Sequence, residues 1–313
     1  MSSQAGASGL VTTSGRRFGL TEGQVWDLKS KLPVIVLFLP PGLLLFTIFV
    51  VLPMGEAAWY SFFSWNGYGA PEQWVGLRNY EQVFKNRAFQ TALTNNFLIF
   101  IISIAVQIPL ALWLANMLAH RITGALTFRL LFFMPYILAD VAAGLIWRFV
   151  YDGDFGIVSG IVQLFGFDPI YPLADRDAAI YAVLAVIVWK YFGFHMMLFI
   201  AGLQAIDKEV MEAAEMDGAT GWQKFFRVTL PLLGSTVRLS VFFALVGSLQ
   251  LFDMIMPLTA GGPGNATQTM VTYLYNFGVV RLQIGFGSAV GVVLFVICVV
   301  LAFSYKRVFM KDD

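Results

Sequence analysis

Charge is scarce in this chain. Only 12% of its 313 residues are Asp, Glu, Lys or Arg, about half of the share carried by an ordinary soluble domain. The 20 basic and 19 acidic residues leave a net charge of +1. No basic patch is large enough to neutralise a phosphate track, so nucleic acid is not an expected partner. Cysteine is scarcer still. Cys298 stands alone inside an apolar run, which excludes a disulfide framework and a thiolate metal site. Two histidines, His120 and His195, do not make a zinc cluster by themselves. There is no Gly-x-x-x-x-Gly-Lys-Ser/Thr loop to cradle ATP phosphates, and no Ser/His/Asp grouping, metal motif or dinucleotide fingerprint. The chain is therefore not expected to be an enzyme or to bind a cofactor of its own.

What is abundant is apolar bulk: 58% hydrophobic residues, 30 Phe and 8 Trp, with a mean hydropathy of +0.73. Crossing a ~30 Å hydrocarbon layer takes about 20 mostly apolar helical residues. Six stretches qualify, near 33–54, 93–118, 127–150, 179–203, 235–258 and 286–305. The expected fold is all-α, a polytopic membrane protein of about six transmembrane helices. Pro40-Pro41 should kink the first. Residues 1–31, Ser/Gly-rich and lacking the apolar core and cleavage site of a signal peptide, read as a flexible cytoplasmic extension. Residues 32–306 read as one transmembrane domain and 307–313 as a cytoplasmic tail. Lys and Arg set the orientation. With the N-terminus inside, Arg16, Arg17, Lys29, Lys31, Arg121, Arg129, Lys208, Lys224, Arg227, Arg238, Lys306, Arg307 and Lys311 collect on the inner side. The outer side holds Arg78, Lys85, Arg87, Arg148, Arg176 and Arg281, and Lys190 lies within a span. That bias places both termini in the cytoplasm.

The loop between the fourth and fifth spans does not read as a loop. Helix connections are usually a few residues long, whereas this one, over 205–232, is roughly thirty. Glu212-Ala213-Ala214-Glu215-Met216 is built of good helix formers. Asp217-Gly218 and Gly221 permit a tight turn. Trp222 to Val228 forms a second short amphipathic piece, with Trp222, Phe225 and Phe226 set against Gln223, Lys224 and Arg227. Pro231 suits the first turn of the following span. Such a pair either lies on the bilayer surface or docks a partner. The acidic, Ala-rich first helix favours docking, since a membrane binder would be more basic there.

These residues carry a resemblance. Glu212-Ala213-Ala214, three residues, Gly218, nine residues, Val228, one residue, Leu230-Pro231 resembles the "EAA" loop of permease subunits in binding-protein-dependent ABC importers. Trp189 through Gly193-Phe194, Ala201-Gly202-Leu203-Gln204, Phe252-Asp253 and Leu258-Thr259-Ala260-Gly261-Gly262-Pro263 resemble the flanking spans of the carbohydrate subfamily. Val228 stands where Ile is usual. The large extracellular insertion of the maltose-type subunit is absent, as in the six-span glycerol-phosphate and disaccharide type. The resemblance implies that the loop is a coupling helix inserted into a cytoplasmic ATPase, with Glu212, Ala213, Ala214 and Gly218 at the contact and Leu230 and Pro231 leading into the fifth span. It implies a second homologous permease, two ATP-binding subunits carrying ATP and Mg, an extracytoplasmic solute-binding protein, and residence in the bacterial cytoplasmic (inner) membrane. The cargo it implies is a sugar, oligosaccharide or sugar derivative, neutral or anionic.

Polar groups within spans are costly and mark function by default. Asn95, Asn96, Gln107, Asp140, Lys190, His195, Gln250 and Asp253 qualify. Interhelical hydrogen bonding is the favoured reading for Asn95, Gln107 and His195. Lys190, between Trp189 and Tyr191, could meet a sugar hydroxyl, an anionic substituent, or a carboxylate such as Asp140 or Asp253. The resemblance favours an architectural or gating pair of Trp189 with Lys190 over an anion site. Asn96, Tyr136, Asp140, Trp189, Lys190, Gln250 and Asp253 are the substrate-pathway candidates. Phe192, Phe194, Trp147 and Phe252 are further aromatics able to stack on sugar rings, although lipid-facing or interfacial packing is the favoured reading for any one of them. The cavity is expected among the third to sixth spans. The competing reading is an ion-gradient-driven secondary transporter using Asp140, Lys190 and Asp253 as a relay. An intramembrane enzyme lacks a nucleophile and base.

Overall fold

The structure, a computed structural model, describes residues 22–119 and 124–310, with side chains from Lys31 onward except Leu32. His120 and Arg121, Arg16 and Arg17, Lys311 and most of the expected N-terminal extension lie outside the described residues. The chain divides into two units, Met1–Gly55 and Glu56–Asp313. In the first, α1 (Glu22–Phe46) already covers the last ten residues of the extension expected to be flexible. It runs through Pro40 and Pro41 without ending and passes by a π-helical turn, Thr47–Val51, into α2 (Leu52–Tyr60). The described side chains from Pro33 to Gly55 are exposed, as in a helix whose solvent is lipid.

In the second unit α3 (Arg78–Lys85) is a short amphipathic helix, anchored where the Asn79 amide donates to the carbonyls of Ser61 (2.8 Å) and Phe63 (2.9 Å). Asn86 caps α4 (Arg87–Ile102), which continues through a π turn at Ser103–Gln107 into α5 (Ile108–Ala119). Then come α6 (Ala125–Ile137), α7 (Asp140–Val150) and α8 (Ile157–Leu164). The central element is α9 (Ala179–Gln204), buried along most of its length. The loop helices α10 (Lys208–Met216), α11 (Gly221–Lys224) and α12 (Leu230–Leu232) lead to α13 (Gly234–Gln250). Short α14 (Ile255–Thr259) and α15 (Met270–Tyr273) precede α16 (Ile284–Phe309). Among the described residues there is no strand; Phe63 and Trp74 form an isolated bridge.

Four helices are long and apolar enough to cross a membrane, as expected: Pro33–Tyr60, Arg87–Ala119, Ala179–Gln204 and Ile284–Phe309. The other two stretches are bent helix pairs, which make six spans if each pair is counted as one, and their course differs from the straight helices expected. The third, read as one span over 127–150, breaks at Leu138-Ala139 and turns by 95°. Its halves, 13 and 11 residues, are about 20 and about 16 Å long at 1.5 Å per residue, so neither crosses alone. The fifth, read as 235–258, leaves the helix at Gln250. Pro231 is not in its first turn; it lies in α12, before a 69° bend at Leu233.

Polar side chains hold the core together. Asn95 Nδ2 donates to the carbonyls of Ala266 and Gln268, both at 2.8 Å. Asn96 donates to the Ser248 carbonyl and accepts from the Met270 amide at 2.9 Å. Asn95 thus ties α4 to the segment before α15, and Asn96 ties it to both α13 and α15, where water cannot compete for the bond. At Gly193 the backbone of α6 comes so close that a Cβ would sit 2.2 Å from the Phe132 carbonyl oxygen, which fixes the approach of α6 to α9.

Candidate functional site

The broken third span creates the charge problem that organises the site. Leu138 and Ala139 are extended, with ψ of 141° and 139°. The last carbonyls of α6 therefore have no helical partners, and the α6 dipole ends there with its negative pole. Lys190, 1% exposed, closes that end. Its Nζ donates to the carbonyls of Pro135 (2.9 Å), Tyr136 (3.0 Å) and Leu138. The same ammonium pairs with Asp140 Oδ1 at 3.1 Å, and Asp140 opens α7, where the helix dipole favours an anion. Tyr191 Oη donates to the other oxygen, Oδ2, at 3.1 Å. One cation thus stitches both half-helices, and the Lys190–Asp140 relay imagined for a secondary transporter is occupied by structural bonds.

Beside this bend lies a cavity of about 570 Å³, within the range of small-molecule sites. Ser103 and Gln107 of the α4–α5 π turn, Tyr136 and Asp140 at the bend, Ile187, Tyr191, Phe194 and His195 of α9, and Phe243, Gly247 and Gln250 of α13 line it, with Phe252 and Asp253 beyond. The walls come from the second to fifth spans; α16, the sixth, contributes none. Tyr136 and Phe194 stack at 5.0 Å between centroids, and Phe243 meets Phe194 edge-on at 5.5 Å.

Of the pathway candidates, Tyr136, Asp140, Gln250 and Asp253 reach this cavity, together with Phe194 and Phe252. Asn96 is spent between helices, both ends of its amide bonded. Trp189 packs against Trp147 at 5.2 Å, and Lys190 faces the bend instead of the cavity. Phe192 is buried. Gln107 and His195 were both expected to bond between helices: His195 makes such a bond, to Ser240 of α13 at 2.7 Å, whereas Gln107 accepts from Ser103 (3.3 Å) within its own π turn, and both also line the wall. Sequence reasoning missed Ser103, Phe243, Gly247 and Ser248. The signal was periodic: Phe243, Gly247 and Gln250 stand at i, i+4 and i+7, one face of α13.

The loop is a compact structure. Helix α10 ends in a Schellman motif: the Gly218 amide bonds the Glu215 carbonyl (3.0 Å) and the Ala219 amide bonds that of Ala214 (3.1 Å). Gly218 has φ +76°, a conformation that costs an L side chain about 1–2 kcal/mol. Thr220 and Gln223 form a capping box on α11, and Lys224 pairs with Glu215 across the turn. Glu212, Ala213 and Gly218 are exposed, as is Pro231, while Leu230 is partly buried. Ala214 is buried, so its methyl packs within the chain and is not presented to a partner. Met216 (85% exposed) and Trp222 (75% exposed) stand out to solvent, Trp222 stacked on Phe226.

Known proteins share this architecture. The chain is 32% identical, over 87% of its length and 94% of the relative's, to a probable ABC transporter permease protein, YurN, of Bacillus subtilis. It is 33% identical to the sn-glycerol-3-phosphate transport system permease protein UgpA of Agrobacterium fabrum, over 87% and 93%. The fold matches a subunit of a bacterial alginate ABC transporter, crystallised with an alginate pentasaccharide-bound periplasmic protein, at a TM-score of 0.78 and 22% identity, covering 91% of this chain and 96% of that one. Residues 89–310, from α4 to the end of α16, match a family model throughout, and the chain belongs to the binding-protein-dependent transport system inner membrane component family.

Proposed function

We propose that this chain is one of two transmembrane subunits of an ATP-driven importer that takes a sugar, oligosaccharide or sugar derivative from an extracytoplasmic binding protein. The family membership supports transport in the inner membrane, and relatives are named for sugar cargoes: the diacetylchitobiose uptake permease NgcF of Streptomyces coelicolor and the multiple sugar-binding transport permease MsmF of Streptococcus mutans. Hydrolysis belongs to two separate ATPase subunits holding ATP and Mg. A second, homologous permease completes the pathway, and both termini lie on the ATPase side.

The observation that carries this reading is the rigid loop. A helix closed by a Schellman turn, a capped second helix and an ion pair between them form a knob that exposes Glu212 and Ala213. The knob runs into α13 through α12 with only Leu233, 1% exposed, between them. A push on the knob reaches the cavity wall through Phe243, Gly247 and Gln250. Glu212 would pair with a basic group on the ATPase, Gly218 keeps the turn, and Leu230 and Pro231 join knob to bend.

The test is uptake of labelled sugar by cells carrying Glu212→Lys or Gly218→Val. Both variants should insert in the membrane at normal levels and transport at background, and pull-down of the ATPase with Glu212→Lys should fail. Normal uptake by both variants would overturn the coupling assignment.

A further inference from the structure

The charge inventory of the cavity decides between the two classes of cargo that the family leaves open. A site built for a phosphate, sulfonate or uronate needs a cation, usually Arg or Lys, aimed at the anion. Among the described residues no Lys or Arg lines this cavity. The nearest candidate, Lys190, has its ammonium satisfied by three carbonyls and Asp140. His195 is 3% exposed with Nδ1 held 2.7 Å from the Ser240 hydroxyl. The lining carries instead two carboxylates. Asp140 is neutralised by its pair, but Asp253 is exposed with no hydrogen bond or ion pair among the described residues.

We infer that this subunit passes a neutral saccharide and disfavours its anionic counterparts, the free Asp253 carboxylate repelling anions and accepting from sugar hydroxyls. The remaining walls fit that cargo. Tyr136, Phe194 and Phe252 give apolar ring faces of the kind pyranose C–H surfaces cover, and exposed Gln250 supplies an amide that both donates and accepts. This inference rests on the saccharide-importer reading above.

The test uses the whole importer, with its second permease and ATPases, purified in nanodiscs without the binding protein, whose own selectivity would mask the cavity's. Saturation-transfer NMR would report binding of maltose, cellobiose, lactose, sucrose and trehalose, and of their 6-phosphates. At least one neutral sugar should bind, and its phosphate should bind about tenfold more weakly, the scale of one unit charge at close range in a partly wet site. Asp253→Asn, or Asp253→Ser should the first not assemble, should shrink that gap at least threefold. Phosphates bound as tightly as their neutral parents, or a gap unchanged in the variant, would overturn the inference and leave the importer reading standing. If no sugar of either charge binds, the saccharide reading falls and takes the inference with it.

Discussion

At the residue scale the molecule turns on which way a single side chain points. Lys190 was legible as an oddity, since a cation halfway along an apolar run needs a reason. Its direction was not legible: one step of about 100° around α9 separates Lys190, facing the bend, from Tyr191, facing the cavity. Lys190→Met should therefore destabilise the folded subunit, by roughly 1–3 kcal/mol, because it leaves three carbonyls without their donor and takes the cation from Asp140, which keeps Tyr191 and partial exposure. Thermal unfolding of the purified importer in detergent checks this, and a Lys190→Met, Asp140→Asn double variant should recover part of the loss. A Lys190→Met subunit as stable as wild type would show that the cation does not hold the bend. Asn96 teaches the same lesson: an amide in a span can serve a substrate or a neighbour, and only the fold shows which.

At the scale of elements, the straight spans and the loop could be read because their signals are local. Apolar length gives α9 and α16, and Asp217-Gly218 gives the turn, while the Thr220–Gln223 capping box emerged only from the structure. The break in the third stretch could not be read this way. Leu138 and Ala139 are as apolar as a continuous helix requires, and hydropathy records composition without direction. The close approach that Gly193 allows is likewise a tertiary fact. Gly193→Val should stop α6 from seating on α9, so the variant should fail to assemble, read as loss of the monodisperse importer peak in size-exclusion chromatography. Thr220→Ala removes the α11 cap, a change of about 1 kcal/mol. It should lower uptake only modestly, whereas Gly218→Val should abolish it.

At the scale of the whole molecule, the family could be read from the loop pattern, and the cavity only in outline. A wall drawn from four spans depends on how helices far apart in sequence come together. The pathway also depends on a second permease. If the loop moves α13, access to the cavity should switch with the nucleotide state. In a Cys298→Ser background, a Gln250→Cys variant should react with a membrane-impermeant maleimide from one side of the membrane, and trapping with ATP and vanadate should transfer that reactivity to the other side. Labelling indifferent to nucleotide would argue against the lever. The stitched bend has one more consequence, concerning the order in which the ribosome supplies its parts. Asp140 and the carbonyls of Pro135, Tyr136 and Leu138 are synthesised 50 to 55 residues ahead of the ammonium that satisfies them. Until α9 emerges, the α6–α7 segment is a broken span whose bend leaves the Asp140 carboxylate and three carbonyls without that ammonium, poorly suited to stay in lipid alone. The nascent chain should hold it at the insertion machinery and release α6, α7 and α9 into the bilayer together, so that biogenesis waits on a residue two helices downstream.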